Sequence, residues 1–329
     1  MATPPTADVA LLTESRYTAA TAAPGDWYLG NILADDRLLI AALATHGLSA
    51  VRVDWASPLI AWDRFRTAVF RTTWDYFDHA AAFARWLDDA AGRTRLCNPP
   101  ATVRWNMDKH YLADLERRGI PVVPTRFIPR GSVDLADLIN ATGWHDAVIK
   151  PCISGGARHT HRVSPATAAA VGALVADVAA TEDFMLQPFE PGILTAGEDS
   201  LIVIGGRFTH AVRKRARPGD YRVQDDHGGT VHPRDPTAAQ IALAEGALAA
   251  CLPIPTYGRV DMVEAADGTW RVMELELIEP ELWLRLHPPA AVALAAAIAA
   301  GPPAREPAGP PAREPAGPPA REPAGPPAS

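Results

Sequence analysis

Arg259-Val260-Asp261 and Met273-Glu274-Leu275-Glu276 decide how this chain is read. Tyr257 to Val263 has the composition of a strand, as does Trp270 to Leu277, and Asp267-Gly268 between them is a hairpin turn signal. Side chains two apart on a strand share a face, so Glu274 and Glu276 project together, and a hairpin register that brings Asp261 opposite gathers three carboxylates. Carboxylates that close repel unless a cation neutralises them. Hard oxygen ligands suit Mg²⁺, which takes one or two carboxylates and fills its shell with water and phosphate oxygens. The plainer alternative is a solvated acidic face on an antiparallel hairpin.

Working outward, the N-terminal third has a βαβ rhythm. Ala7 to Thr13 reads as a strand, Asp36 to His46 as a helix stopped by Gly47, Ser49 to Asp54 and Thr67 to Arg71 as strands, and Asp78 to Ala91 as a helix. Such a rhythm predicts a small parallel sheet with right-handed crossovers over residues 1–104, binding ligands at the carboxyl ends of its strands. Arg16, in the stretch after the first strand, and Arg71-Thr72-Thr73-Trp74-Asp75-Tyr76 fall at that edge. The planar fork of Arg71 suits a substrate carboxylate; an ion pair with Asp75 or Asp78 is the competing role.

A second, α+β unit spans 105–190. Asn106 to Arg118 reads as a helix carrying Lys109, and Ala147 to Lys150 as a strand opening onto a loop with Ser154-Gly155-Gly156. Phe184 to Phe189 is another strand, ended by Pro191-Gly192. A third unit, 191–300, holds a hairpin about Gly205-Gly206, a polar segment from Arg217 to Gly229, a helix from Thr237 to Cys251, the acidic hairpin and a closing helix from Pro289. From Gly301 the sequence Gly-Pro-Pro-Ala-Arg-Glu-Pro-Ala occurs three times, which predicts a disordered, partly polyproline-II tail over 301–329.

The chain has 329 residues and a net charge of −7, so nucleic acid is not an expected partner. No apolar run reaches membrane-spanning length and the first residues lack a signal-peptide pattern, so a cytoplasmic protein without a membrane partner is expected. Cys97, Cys152 and Cys251 are far apart and odd in number, which predicts reduced thiols. His159-Thr160-His161 has no cysteine or acid at matching spacing and does not make a transition-metal site. No nucleophile elbow supports Ser-His-Asp catalysis.

Lys150 at a strand end before a glycine-containing loop is a phosphate-binding arrangement, to which Lys109, Lys214 and Arg222 add cations. Gln187-Pro188-Phe189-Glu190 ends a strand in a way that offers backbone groups to an adenine edge, and Glu198 can accept from ribose hydroxyls. This order of motifs resembles the ATP-grasp superfamily from Ala7 to Ala300. The segment Pro218 to Arg222 with Gly228-Gly229 is similar to the matching loop of bacterial glutathione synthetases and ribosomal-protein glutamate ligases. Arg71 to Tyr76, Val103 to Lys109 and Glu274 to Pro280 resemble a narrower group, the cyclo-ligases of cycloserine biosynthesis.

The resemblance implies a mixed α/β and α+β fold in which two lobes clasp ATP beside a small parallel-sheet domain. It implies phosphate binding by Lys109 and Lys150, an adenine hinge at Gln187 to Glu190, ribose binding by Glu198, and stabilisation of the transferring phosphoryl group by Arg222. It also implies Mg²⁺ held by Asp261, Glu274 and Glu276, although the superfamily often has asparagine where Glu276 stands. The expected activity is ATP-dependent activation of a small-molecule carboxylate as an acyl phosphate, then attack by a nitrogen. In a cyclo-ligase that nitrogen belongs to the same molecule, O-ureido-D-serine, and the product is the antibiotic D-cycloserine. Intermolecular carboxylate–amine ligation, and a non-catalytic ATP-binding sensor or scaffold, are the alternatives. A homo-oligomer is compatible with either, and the sequence does not specify one.

Overall fold

The computed structural model describes residues 7–131, 134–223 and 228–301. The repeat tail beyond 301 and the end of the polar segment at Gln224 to His227 lie outside the described residues. Three sheets organise the chain. The first is parallel, with β1 (Val9–Thr13), β2 (Ala50–Asp54), β3 (Thr67–Thr72) and β4 (Arg95–Cys97) in the order β2-β1-β3-β4. Helices α1 (Trp27–Ala44) and α2 (Ala80–Ala91) are its crossovers, as the βαβ rhythm predicts.

α1 starts nine residues before the predicted Asp36. The Asp26 side chain caps it by accepting from Leu29 N at 3.0 Å, and this N-cap signal outweighs the modest helix propensity of Trp27, Tyr28 and Gly30. β4, three residues long, is too short to carry a readable alternation.

The predicted helix from Asn106 is two helices, α3 (Pro100–Asn106) and α4 (Tyr111–Arg117). Lys109 therefore lies in a break, not on a helix. Its N–H is spent on Cys152 O at 2.9 Å, which ties the break to the glycine-containing loop.

The second sheet is antiparallel, with β5 (Arg126–Ile128), β6 (Ala147–Pro151), β7 (His161–Val163) and β8 (Phe184–Pro188) in the order β5-β8-β6-β7. It is backed by α5 (Leu135–Thr142) and α6 (Ala168–Ala179), with a core of its own around Ile139, Ile149, Val175, Phe184 and Leu186. After the short α7 (Gly192–Thr195) comes the third sheet, also antiparallel. Its strands are β9 (Glu198–Ile204), β10 (Arg207–Arg215), β11 (Thr230–Arg234), β12 (Tyr257–Glu264) and β13 (Trp270–Glu276), in the order β11-β10-β9-β12-β13. β11 lies in a stretch left unassigned from sequence, and its Pro233 is tolerated because β11 is at the sheet edge. α8 (Ala238–Ala249) packs below β9, and α9 (Pro289–Ala300) sits between the first and third sheets in one core with Leu39, Leu43, Ile202 and Tyr257. The three cysteines are buried and unpaired.

The hairpin lands in the register that gathers carboxylates: Asp261 pairs with Glu274 and Arg259 with Glu276. β13 is an edge strand, yet its outer backbone is not left open. Val123 N donates to Val272 O at 3.0 Å. Further along, Tyr111 Oη accepts from Leu275 N at 2.9 Å, Asn106 Nδ2 donates to Leu275 O at 2.8 Å, and Asn106 Oδ1 accepts from Leu277 N at 3.0 Å. Two side chains from the α3–α4 region thus complete the ladder that holds Glu274 and Glu276 in place.

Asn106→Ala strands one carbonyl and one amide in a buried setting. It is expected to lower unfolding free energy by about 2–6 kcal/mol, from about 1–3 for each unsatisfied group. Urea titration reads this directly, and a loss below about 0.5 kcal/mol would show that the strand end does not depend on Asn106.

Candidate active site

One cavity lies between the second and third sheets, and most of the sequence-predicted residues line it. Lys109, Lys150, Gln187, Pro188, Phe189, Glu190, Glu198, Lys214, Arg222, Asp261, Glu274 and Glu276 all face it. Its chemistry is an alternation of buried cations and carboxylates. Lys109 Nζ is 3.0 Å from Glu274 Oε1 and also donates to Ser154 O. Lys214 Nζ is 2.9 Å from Asp261 Oδ2 and also contacts Glu198. Arg259 forks Asp261 through Nε and Nη2, both at 2.8 Å, and Nη2 reaches Glu276 as well. Ser200 Oγ donates to Asp261 Oδ1 at 2.6 Å.

These contacts set the charge states. Burial alone would raise the Asp261 carboxyl, but Arg259 and Lys214 hold it well below the usual carboxylate range. Burial works against the Lys109 ammonium, and Glu274 more than restores it. Lys150 is different. It is buried, burial and the neighbouring Lys109 charge push its pKa down, and no hydrogen bond or ion pair among the described residues engages its ammonium. A buried ammonium without a partner is costly, and an anion entering the cavity would relieve it.

The glycine-containing loop curls over both. Gly155 packs so close to Phe77 that an added Cβ would stand 2.5 Å from its ring, and Gly156, Ala157 and His159 have positive φ. At the proposed hinge, Pro188 has no N–H and Phe189 N donates to Asp146 O at 3.0 Å. The N–H of Glu190 has no partner among the described residues and is the donor left for a ligand edge. Gln187 Nε2 donates to Thr125 Oγ1 at 3.0 Å, so its side chain supports the strand end. Arg222 lines the cavity with its fork on Asp220, 2.8 Å from Nη2 to Oδ2, in the ligand-free chain.

Two residues depart from expectation or went unassigned. Arg71 pairs with neither Asp75 nor Asp78. It is buried against Asp36 of α1 at 3.0 Å and lines neither this cavity nor the one adjoining it. Asp75 instead accepts from Trp55 Nε1 at 2.7 Å. Arg259 was quoted in the sequence but given no role; its place two residues from Asp261 on one strand face is the signal that could have found it.

A second cavity adjoins the first and shares Gly155, Gly156, Lys214, Arg259 and Glu276 with it. Its other walls come from the carboxyl edge of the parallel sheet, with Arg16, Tyr17, Tyr28 and Trp74, and from Glu279 and Trp283 after β13. Arg16 is largely exposed and bonds Glu14. The donor set fits nucleotide phosphates and a hard divalent cation: Lys150 and Lys109 for the former, oxygens of Asp261, Glu274 and Glu276 for the latter. Among the described residues no helix is long and apolar enough to cross a membrane.

Comparison with known proteins gives a consistent picture. The N-terminal domain family of D-cycloserine synthetase DcsG matches residues 9–98. The cycloserine biosynthesis protein DcsG of Streptomyces lavendulae is 34% identical over 280 residues, 79% of this chain and 91% of that protein. The crystal structure of D-cycloserine synthetase DcsG superposes with a TM-score of 0.76 at 32% identity, covering 89% of this chain and 98% of the other. The ATP-grasp ligase PsnB, solved with a minimal precursor, Mg and ADP, shares the fold with a TM-score of 0.56 at 15% identity, covering 88% of this chain and 98% of PsnB.

The ion-pair geometry separates two lysines. Lys214→Met leaves Glu198 and Asp261 short of a buried counter-charge and is expected to cost about 3–5 kcal/mol, the range for breaking a buried pair from one side. Lys150 meets Glu274 only through charge and not through a direct ion pair, so Lys150→Met is expected to lower the melting temperature much less than Lys214→Met. Calorimetric melting of both variants tests this, and equal destabilisation would refute the distinction.

Proposed function

The chain belongs to the D-cycloserine synthetase family of ATP-grasp ligases, and we propose that it closes O-ureido-D-serine into D-cycloserine. It is an enzyme, an ATP-dependent ligase that forms carbon–nitrogen bonds. The observation that carries the finer reading is the pair of adjoining cavities. One is built of lysines and carboxylates for a nucleotide, and the other is small-molecule-facing and shares the glycine-containing loop with it.

In this reading the substrate carboxylate attacks the γ-phosphorus, ADP departs and an acyl phosphate forms. The oxygen-linked nitrogen of the same molecule then attacks the activated carbonyl. Its proton and phosphate leave, and the carbamoyl group is lost to water. Lys109 and Lys150 hold the phosphates, Glu198 the ribose, and the Glu190 N–H the base edge. Asp261, Glu274 and Glu276 would hold Mg²⁺, which supplies charge neutralisation at the phosphates. Arg222 leaves Asp220 to meet the transferring phosphoryl oxygens through its fork. Ring closure within one molecule needs little loss of translational freedom, so positioning is the main task of the protein.

ADP release on adding O-ureido-D-serine, with cycloserine formed in equal amount and no dependence on an added amine, is the expected result. Release that requires a second amine would favour an intermolecular ligase; no release with any carboxylate would favour a nucleotide-binding scaffold.

Asp261→Asn and Glu274→Gln are each expected to remove turnover at ordinary Mg²⁺ while the chain still folds, and normal activity in either would defeat the metal assignment. Arg222→Lys should lower kcat by a factor on the order of 10² with little change in the KM for ATP, because a lysine cannot reproduce two parallel hydrogen bonds in the transition state. Near-normal kcat with a lowered melting temperature would mean that Arg222 only orders its loop.

A further inference from the structure

The second cavity contains two polar groups that the fold buries and leaves unused. Glu279 is 7% exposed, and its Oε2 has no hydrogen-bond partner among the described residues. Trp283 is 2% exposed, and its Nε1 is likewise without a partner. Both line the same cavity. A buried acceptor and a buried donor each cost about 1–3 kcal/mol when unsatisfied, and folded proteins leave few of them.

Neither group is there by slack packing. The Glu279 backbone is fixed from the parallel-sheet side: Thr73 Oγ1 donates to Ile278 O at 2.9 Å and Trp74 Nε1 to Glu279 O at 2.8 Å. Trp283 is held at φ 44°, a left-handed backbone that a bulky residue rarely adopts, with the Arg259 guanidinium 5.1 Å from its ring. The loop therefore sustains strain and desolvation at two residues that line one cavity, each with a polar atom left without a partner. The wall of that cavity continues through Arg259 and Glu276 into the phosphate-binding cavity.

A buried acceptor and a buried donor left without partners at one cavity suit a ligand with an N–H next to a C=O, as in an amide or a urea. We infer that Glu279 accepts the N–H of the attacking nitrogen and that Trp283 donates to the carbonyl attached to it, so that this wall is the binding site for the nucleophile. The inference rests on the ring-closure reading above and names the residues that orient its second half-reaction. Holding the nitrogen beside the activated carbonyl is what turns an acyl phosphate into a ring instead of losing it to water.

The test separates activation from closure. Hydroxylamine added to the reaction traps the acyl phosphate as a hydroxamate, and ADP counts activation events. In the wild type, ADP and cycloserine should match. In Glu279→Leu, at saturating substrate, trapped hydroxamate should stay within about threefold of wild type while cycloserine falls on the order of 100-fold, the scale of a lost positioning contact. Glu279→Gln keeps a neutral acceptor and should fall in between, and Trp283→Phe should lose about tenfold. Because Oε2 is unsatisfied, neither Glu279 variant should melt lower than wild type. An NMR titration with N-methoxyurea, which carries the N–H and C=O but no carboxylate, supplies a readout independent of turnover: affinity should fall at least fivefold in Glu279→Leu and Glu279→Gln.

Wild-type ADP-to-cycloserine matching retained in both Glu279 variants would overturn the inference. So would loss of trapped hydroxamate together with a raised Mg²⁺ requirement, which would move Glu279 into the cation cluster. If the wild type releases no ADP with O-ureido-D-serine, the ring-closure reading fails. The N-methoxyurea titration then still decides whether Glu279 binds this chemical class.

Discussion

The arrangement depends on how buried carboxylates are neutralised. Glu198, Asp261, Glu274 and Glu276 surround one cavity, and together they could not stay ionised there without cations placed among them. Those cations come from three places: Lys109 from the break between α3 and α4, Lys214 from β10, and Arg259 from β12. Lys109 ties the N-terminal helices to the acidic hairpin, and its own N–H ties them to the loop of the second sheet through Cys152. The charge network is thus a joint between the second and third sheets, beside the apolar cluster in which Met185 of β8 and Cys152 pack with Leu201 and Val260.

The hairpin was legible because it is local. A two-residue period places Glu274 and Glu276 on one face, but the register Asp261 to Glu274 comes from a bulge between Asp261 and Met262, since the turn alone would set Asp261 opposite Met273. The parallel sheet was legible for the same reason, since alternation of apolar runs with helices needs no distant information. Lys109 was read as helical because nothing nearby in sequence announces that Asn106 turns its amide toward β13 and that the next N–H groups are used elsewhere. The Arg71 pair was not legible because Asp36, although read as helical, is 35 residues away, and only the packing of α1 on the sheet brings the two together. Glu279 could not have been singled out at all, since its value lies in a missing partner and only tertiary structure reveals one.

The two cavities divide the work in a way that follows from the layers. The carboxyl edge of a parallel sheet is open for ligands, and here β1 and β3 aim Arg16 and Trp74 at the space beside the acidic hairpin. Tyr17 and Tyr28 stack against Trp74 with ring centroids 5.5 and 5.7 Å away, so the wall is rigid and aromatic. Gly155 is pressed onto Phe77, next to the same edge, and the loop it belongs to lines both cavities. A shift of that loop therefore changes the shape of both cavities together.

Glu276 stands where the superfamily often carries asparagine, and on sequence alone the added charge suggests a tighter or differently populated cation site. The structure gives that charge another destination. Arg259 faces Glu276 across the hairpin and bonds it with the same Nη2 that reaches Asp261. Burial still pushes the Glu276 carboxyl well above the usual carboxylate range, because the Arg259 guanidinium that meets it is shared with Asp261. A planar fork can bridge two carboxylates that a single ammonium would hold less firmly. The guanidinium also reaches toward Trp283, on the wall with Glu279. Glu276 and Arg259 line both cavities, so the pair connects the carboxylate cluster of one to the wall of the other.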